Sequence, residues 1–278
     1  MVGMPKNEDA RLGAVQETLF IPLAARAREA GKKRPILRDP KAAEIVASVD
    51  FDMDKYGRDW GGVLNVLRTA IFDHWVGEFL AEHPAGTVIE LGTGLNARFD
   101  RVDNGQVNWI DLDLPDTIEL RRRFFSDSAR RRMVAASVAD EDWIRVVEDS
   151  QGPYFFVAEG VFAYLEQAPQ ILTRIASRFG GALMAFDTES HRLMEMQHRL
   201  AAKKNMEARW AWACDDPRSL EPLGLEIVAT MAVTLPPQAV RARLPRLYRY
   251  LLPLASRITG GPYAVSLFMT RQPAGVTS

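Results

Sequence analysis

The chain changes its hydrophobic period at Pro84, and that change limits the folds open to it more than any other feature. Before it, apolar residues recur at helical spacing in three stretches. They are Leu12 to Ala30, with Pro22 starting or kinking the helix and Gly31 placed to end it, PKAAEIVASV behind an Asp39 N-cap, and Trp60 to His83. After it, short apolar runs alternate with amphipathic segments, the pattern of strand and helix units in a mostly parallel sheet. Strands are expected at TVIEL, VNWIDLD, MVAASV, YFFVAEG and ALMAFDT, then at LEIVATMAV and YAVSLFMT, with helices begun near Pro115, Asp140 and Gln167. The last strand is expected to insert antiparallel at the edge. A long helix from His191 to Arg209 should sit over the carboxyl ends of the strands. The expectation is an α/β protein: a helical cap over residues 1–83, then a doubly wound seven-stranded sheet over 84–278 with helical insertions at about 190–220 and 236–261.

Lys and Arg total 35 against 36 Asp and Glu in 278 residues, so no global field draws the chain to nucleic acid or to an anionic membrane. The single cysteine, Cys214, excludes an internal disulfide framework and a multi-cysteine zinc site, and no metal is expected. The opening MVGMPKNEDA lacks the apolar run of a signal peptide, and no stretch approaches the roughly 20 apolar residues of a membrane span. These features predict a cytoplasmic protein acting on a small molecule, with neither nucleic acid nor stable membrane association.

Gly92-Thr93-Gly94-Leu95-Asn96-Ala97 follows the first predicted strand and fits the G-x-G-x-x-G/A turn. Such a turn serves any ligand that approaches the backbone closely, so its neighbours must choose the ligand. The residues finishing the strands are Glu90, Asp111 and Asp113, Ser137 with Asp140, and Glu159, and most are acidic. A pyrophosphate beside Glu90 and Glu159 would be repelled. S-adenosylmethionine offers a sulfonium, an ammonium and a ribose diol, all of which carboxylates satisfy. Only 12 residues separate Gly94 from Val107, and NARFDRVDNGQ is too polar for the packed crossover helix of a dinucleotide fold. Asp113, at the strand end before Pro115, is favoured over Asp111 for a ribose.

Five ordered motifs carry a resemblance: RTAIFD (68–73), VIELGTGLNAR (88–98), DLDLP (111–115), VADEDW (138–143) and AEGVFAYL (158–165). In these the chain resembles the leucine carboxyl methyltransferase family, and within it the bacterial polyketide-synthesis O-methyltransferases, as does the N-terminal RPILRDPKAAEIV. The resemblance implies a Rossmann-like class I methyltransferase that uses S-adenosylmethionine and releases S-adenosylhomocysteine. It places Arg68 on the methionine carboxylate, Gly92 and Gly94 near the methionine portion, Asp113 on the ribose and Glu159 beside the cofactor. Glu90, Thr93 and Asp111 are grouped with them. Ser137-Val138 stands where the family has Asp-Leu near the adenine, leaving a backbone contact and the apolar Val138. Asp140 reads as a cap for the helix that follows.

Transfer of a methyl from a sulfonium is an in-line displacement, for which the protein positions the acceptor and excludes water. A carboxylic acid, with a pKa of about 4, is already ionised at neutral pH, whereas a phenol at about 10 needs a base. No base is obvious in the sequence; Tyr164 and His191 are the candidates. The helical segments PLAARARE, HRLMEMQHRLAAKKNMEARWAWA and RARLPRLYRYLLPLASRITG mix large apolar residues with Arg and Lys, which suits a flat apolar acceptor bearing a carboxylate. The expected activity is O-methylation of such a molecule. Phenolic O-methylation and protein C-terminal carboxyl methylation are the alternatives in the same chemistry. An NAD(P)-dependent oxidoreductase and a degenerate methyltransferase fold used for binding lie further off.

Overall fold

The computed structural model describes residues 14–49, 60–203, 208–258 and 263–271. Three helices come first: α1 (Ala14–Ala30), α2 (Pro40–Ser48) and α3 (Trp60–Glu82). α2 starts as its sequence dictates, with Pro40 in the first turn and the Asp39 carboxylate accepting from Ala42 N at 2.9 Å. α1 runs through Pro22 without ending there.

The sheet alternates with short helices: β1 (Thr87–Leu91), α4 (Arg98–Val102), β2 (Asn108–Asp113), α5 (Pro115–Arg121), β3 (Arg131–Ala135), α6 (Asp142–Glu148), β4 (Tyr154–Ala158), α7 (Ala168–Arg178) and β5 (Leu183–Glu189). Then follow α8 (His191–Lys203), β6 (Leu225–Ala232), α9 (Gln238–Arg241), α10 (Arg246–Ile258) and β7 (Tyr263–Thr270). The strand order is β3-β2-β1-β4-β5-β7-β6, with β7 antiparallel to both neighbours. The final strand therefore inserts between β5 and β6, and β6 forms the edge. Paired on both sides, β7 buries six of its eight residues, which explains its largely apolar run.

The two faces of each strand feed two different cores, as a period of two requires. Val88, Trp109, Phe155, Val157 and Val265 pack with Leu67, Ile71, Val76 and Phe79 of α3. Ile89, Leu91, Leu112, Phe156, Met184 and Phe268 pack with Trp143 of α6 and Ile171 and Ile175 of α7. Residue 83 thus divides the chain in sequence but not in packing, because α3 is one of the layers covering the sheet. A third cluster seats Phe20 and Leu23 of α1 and Ile45 of α2 against Leu95, Ala97 and Ile118, which puts the first two helices over the glycine loop and α5.

Three local expectations change. β3 begins earlier than MVAASV and stops at Ala135, because its first residue, Arg131, is buried by an ion pair that apolar patterning does not register. Asp140 does not cap α6. It is exposed, its N–H donates to Ser137 O, and the N-cap position falls to Glu141. Ala208 and Arg209 lie outside α8, since the chain there has turned back across the sheet: Ala211 N and Trp212 N donate to Ala163 O, and Cys214 N donates to Glu189 O. That return still covers the carboxyl ends of β4 and β5. No helix among the described residues is long and apolar enough to cross a membrane.

Candidate active site

The chain reverses its direction of travel across the sheet between β1 and β4, and a doubly wound sheet binds ligands in the crevice outside such a switch point. The two loops that open there are Gly92–Ala97 after β1 and Glu159–Tyr164 after β4. Gly92 and Gly94 have φ of +63° and +50°, in the left-handed region. A Cβ at Gly92 would lie 2.5 Å from Val161 Cγ2, and one at Gly94 would lie 2.9 Å from Leu19 Cδ2 of α1. Gly92→Ala is therefore expected to cost roughly 1–3 kcal/mol in urea unfolding and at least tenfold in cofactor affinity by calorimetry. Wild-type values in both would mean that the loop tolerates displacement.

Every turn of the loop is tied down. Gly94 N donates to Asp113 Oδ2 at 2.7 Å, and Arg121 Nη1 donates to Gly94 O at 2.7 Å. Arg26 Nη2 of α1 donates to Leu95 O at 3.2 Å, and Thr93 Oγ1 donates to Asp111 Oδ1 at 2.9 Å. The cap, β2 and α5 thus all hold one six-residue loop.

Beneath the loop runs a ladder of buried ion pairs. Arg26 pairs with Asp39 at 2.9 Å, Arg101 bridges Asp39 at 2.8 Å and Asp73 at 2.7 Å, and Arg98 joins Asp73 at 2.7 Å to Glu90 at 3.3 Å and to Glu159. Arg68 continues it, pairing with Glu159 at 3.0 Å and Asp187 at 2.9 Å and donating to the Tyr263 hydroxyl. Burial opposes the charge of Glu159, but Arg68 and Arg98 outweigh it and hold the carboxyl down at about 2. At Glu90 the balance is reversed: burial pushes it up to about 7 against the attraction of Arg98. Glu189 is raised by burial and by Asp187 beside it. This corrects the expectation that the strand ends present bare negative charge. The acidic residues are there, but arginines from α1, α3 and α4 fold onto them, and only the leftover charge faces a ligand.

Arg68, Glu90 and Glu159 are brought together as expected, and Asp113 stands at the loop with its oxygens on Gly94 N and on Leu114 N at 2.8 Å. Asp111 is not free to join them. Fully buried, it ion-pairs with Arg131 at 2.7 Å and Arg121 at 3.1 Å and accepts from Trp109 Nε1 at 3.0 Å, so it is an internal counter-ion. Ser137 Oγ accepts from Ala139 N, and Val138 is buried with its carbonyl accepting from Trp143 Nε1. Tyr164 ends the loop after β4; burial raises its hydroxyl, which bonds the Trp210 side chain. His191 is 63% exposed and bonded to Asp215 at 2.7 Å, at the outer start of α8. Sequence reading passed over Asp187, Glu189 and Tyr263, and gave no role to Asn96, Arg98 or Arg26. The available signal was electrostatic: buried carboxylates need cationic partners, and the short N-A-R-F-D-R passage supplies two.

These residues fit a cationic, phosphate-free cofactor. The crevice offers two glycines that leave no room for a side chain, a carboxylate at the end of β2 with lone pairs to spare, and a buried oxygen, Glu90 Oε2, that no donor among the described residues reaches. Arg68 Nη2 has no partner among the described residues, while its Nε and Nη1 are engaged. Fold and crevice together define an S-adenosylmethionine-dependent methyltransferase.

Comparison with known proteins agrees. Residues 20–176 match the model of the leucine carboxyl methyltransferase family. The chain is 35% identical to the tetracenomycin polyketide synthesis O-methyltransferase TcmP of Streptomyces glaucescens, over 77% of this chain and 81% of that one. It is 27% identical to an S-adenosyl-L-methionine-dependent methyltransferase of Gibberella zeae, over 76% of this chain and 78% of that one. A crystal structure of a DUF574 family protein from Streptomyces avermitilis shares the fold with a TM-score of 0.55 at 15% identity, covering 89% of this chain and 97% of that one. The chain belongs to the leucine carboxyl methyltransferase family. It is an S-adenosylmethionine-dependent O-methyltransferase, which sets the oxidoreductase reading aside.

Proposed function

We propose that the enzyme works in the cytoplasm and methylates a carboxylate oxygen of a small, flat, polyketide-like acceptor. When bound, the cofactor supplies an electrophilic methyl on a sulfonium. The chain's own part is to hold and to shield. Gly92 and Gly94 admit the methionine portion, Arg68 Nη2 takes its carboxylate, Asp113 takes the ribose, and the Val138 side chain and neighbouring backbone meet the adenine. Glu159 keeps Arg68 in place. The return segment 208–214 covers the strand ends and excludes water.

One observation carries the choice of acceptor. Among the described residues, Glu159 and Asp187 are committed to arginines, Asp113 is bonded to Gly94 N, Tyr164 is held by Trp210 with its hydroxyl raised, and His191 is bonded to Asp215 at the surface. A site furnished this way favours an acceptor that arrives already ionised. The likeness to a polyketide synthesis O-methyltransferase supports a polyketide-like small molecule over a protein C-terminus.

Titration with S-adenosylmethionine, S-adenosylhomocysteine and NADH tests the cofactor: the first two should bind and NADH should not. Incubation with paired aromatic acids and phenols tests the acceptor. Product should form from the acids and be saponified by mild base, with kcat/KM for the acid, at saturating S-adenosylmethionine, flat above about pH 5, one unit past a carboxylic pKa. A base-stable ether formed only from the phenols would overturn the carboxylate assignment.

A further inference from the structure

Among the described residues, Glu90 is the carboxylate beside the glycine loop that the ladder does not balance. Four arginines, Arg26, Arg68, Arg98 and Arg101, face four carboxylates, Asp39, Asp73, Glu159 and Asp187. An ionised Glu90 would be a fifth anion. Its nearest cation, Arg98, is shared with Asp73 and Glu159 and reaches Glu90 Oε1 at 3.3 Å; Asn96 Nδ2 donates to the same oxygen at 2.9 Å. Oε2 is buried and receives no donor from the described residues. The other charges facing Glu90 are Arg121 of α5 and Arg101 of α4, against Asp111 of β2 and Glu159 of β4. Glu90 is 2% exposed and stands two residues before Gly92, at the wall the methionine portion approaches.

We infer that Glu90 sets the preference for the methyl-bearing cofactor over its demethylated product, by ionising when a sulfonium cation occupies the crevice and remaining neutral when it does not. This rests on the cofactor reading above. S-adenosylmethionine carries a sulfonium, an ammonium and a carboxylate, for a net charge of +1. S-adenosylhomocysteine keeps only the last two and is neutral. The incoming cation supplies the counter-charge that Oε2 lacks, so Glu90 releases its proton to solvent and gains an attraction that is strong in so dry a place. Methyl transfer cancels the sulfonium charge against the negative charge of the acceptor oxygen. Glu90 then takes a proton back from solvent, and the attraction that held the cofactor is gone when the product must leave. Burial holds the ligand-free carboxyl at about 7, within reach of this exchange.

Calorimetric titration at pH 6.5, in buffers of different ionisation enthalpy, counts the protons exchanged. At that pH the amino group of either ligand is nearly all protonated and contributes little. S-adenosylmethionine should release roughly three-quarters of a proton per molecule bound, the protonated fraction of a group titrating at about 7, and S-adenosylhomocysteine close to none. Between pH 6 and 8 the affinity ratio of the two should rise roughly tenfold in favour of the cation. Glu90→Gln should abolish both effects. Equal proton counts for the two ligands in the wild-type enzyme would overturn the inference without any variant, as would release that persists in Glu90→Gln. Failure of S-adenosylmethionine to bind at all would instead remove the cofactor reading beneath it.

Discussion

Arg98→Ala should lower the free energy of unfolding by roughly 3–5 kcal/mol, the usual cost of removing one partner from a buried ion pair. The arginine is fully buried and serves Asp73, Glu90 and Glu159 at once. Its loss would leave Glu159, already stripped of solvent, with Arg68 alone, and would leave Glu90 with no direct cationic partner. Urea unfolding measures the effect. Arg178→Ala is the control: its pair with Glu148 is 49% and 35% exposed, and pairs of that kind contribute at most about 1 kcal/mol. The pH dependence has a definite sign. Glu159 sits at about 2 against an ordinary 4.5, so its stabilisation is complete above 4.5 and lost as pH falls toward 2. Glu90 sits at about 7, so the folded state holds its proton more tightly and this group weakens the fold as pH rises from 4.5 to 7. Equal losses for Arg98→Ala and Arg178→Ala would mean that the ladder stores no stability.

Asp113→Ala should weaken binding of S-adenosylmethionine by one to two powers of ten, about 1.4–2.8 kcal/mol. The carboxylate does two things. It fixes the glycine loop through Gly94 N at 2.7 Å, and its remaining lone pairs are the acceptors offered to a ribose diol. Asp113→Asn keeps one oxygen for Gly94 N but puts an amide opposite Leu114 N, so it should lose less. Calorimetry orders the three proteins, and circular dichroism confirms that each is folded. Unchanged affinity in Asp113→Ala would move the cofactor away from the end of β2.

Much of the fold could be read directly. The strand cores, the helix starts at Pro40 and Pro115, and the polar passage that forms only the five-residue α4 all follow from local rules. The position of β7 did not, because a run of apolar residues reads the same at an edge and between two strands. Among site residues, those named by the glycine loop and the strand ends gathered where expected. Asp111 did not: it shares the face of Asp113 but lies one pleat deeper in β2, where Arg121 and Arg131 take up its charge. Asp187 lies just as plainly at a strand end, but its partners Arg68 and Tyr263 are 119 and 76 residues away in the chain.

The sequence by itself determined the class of fold, the place of the ligand crevice and a set of acidic strand ends around a close-approach turn. Those depend on hydrophobic period, turn chemistry and spacing, which are local. Only the tertiary structure decided what those acids mean. Arginines from α1, α3 and α4, distant in the chain, neutralise four carboxylates and leave Glu90 over. Charge acts through space, at distances set by packing and not by sequence.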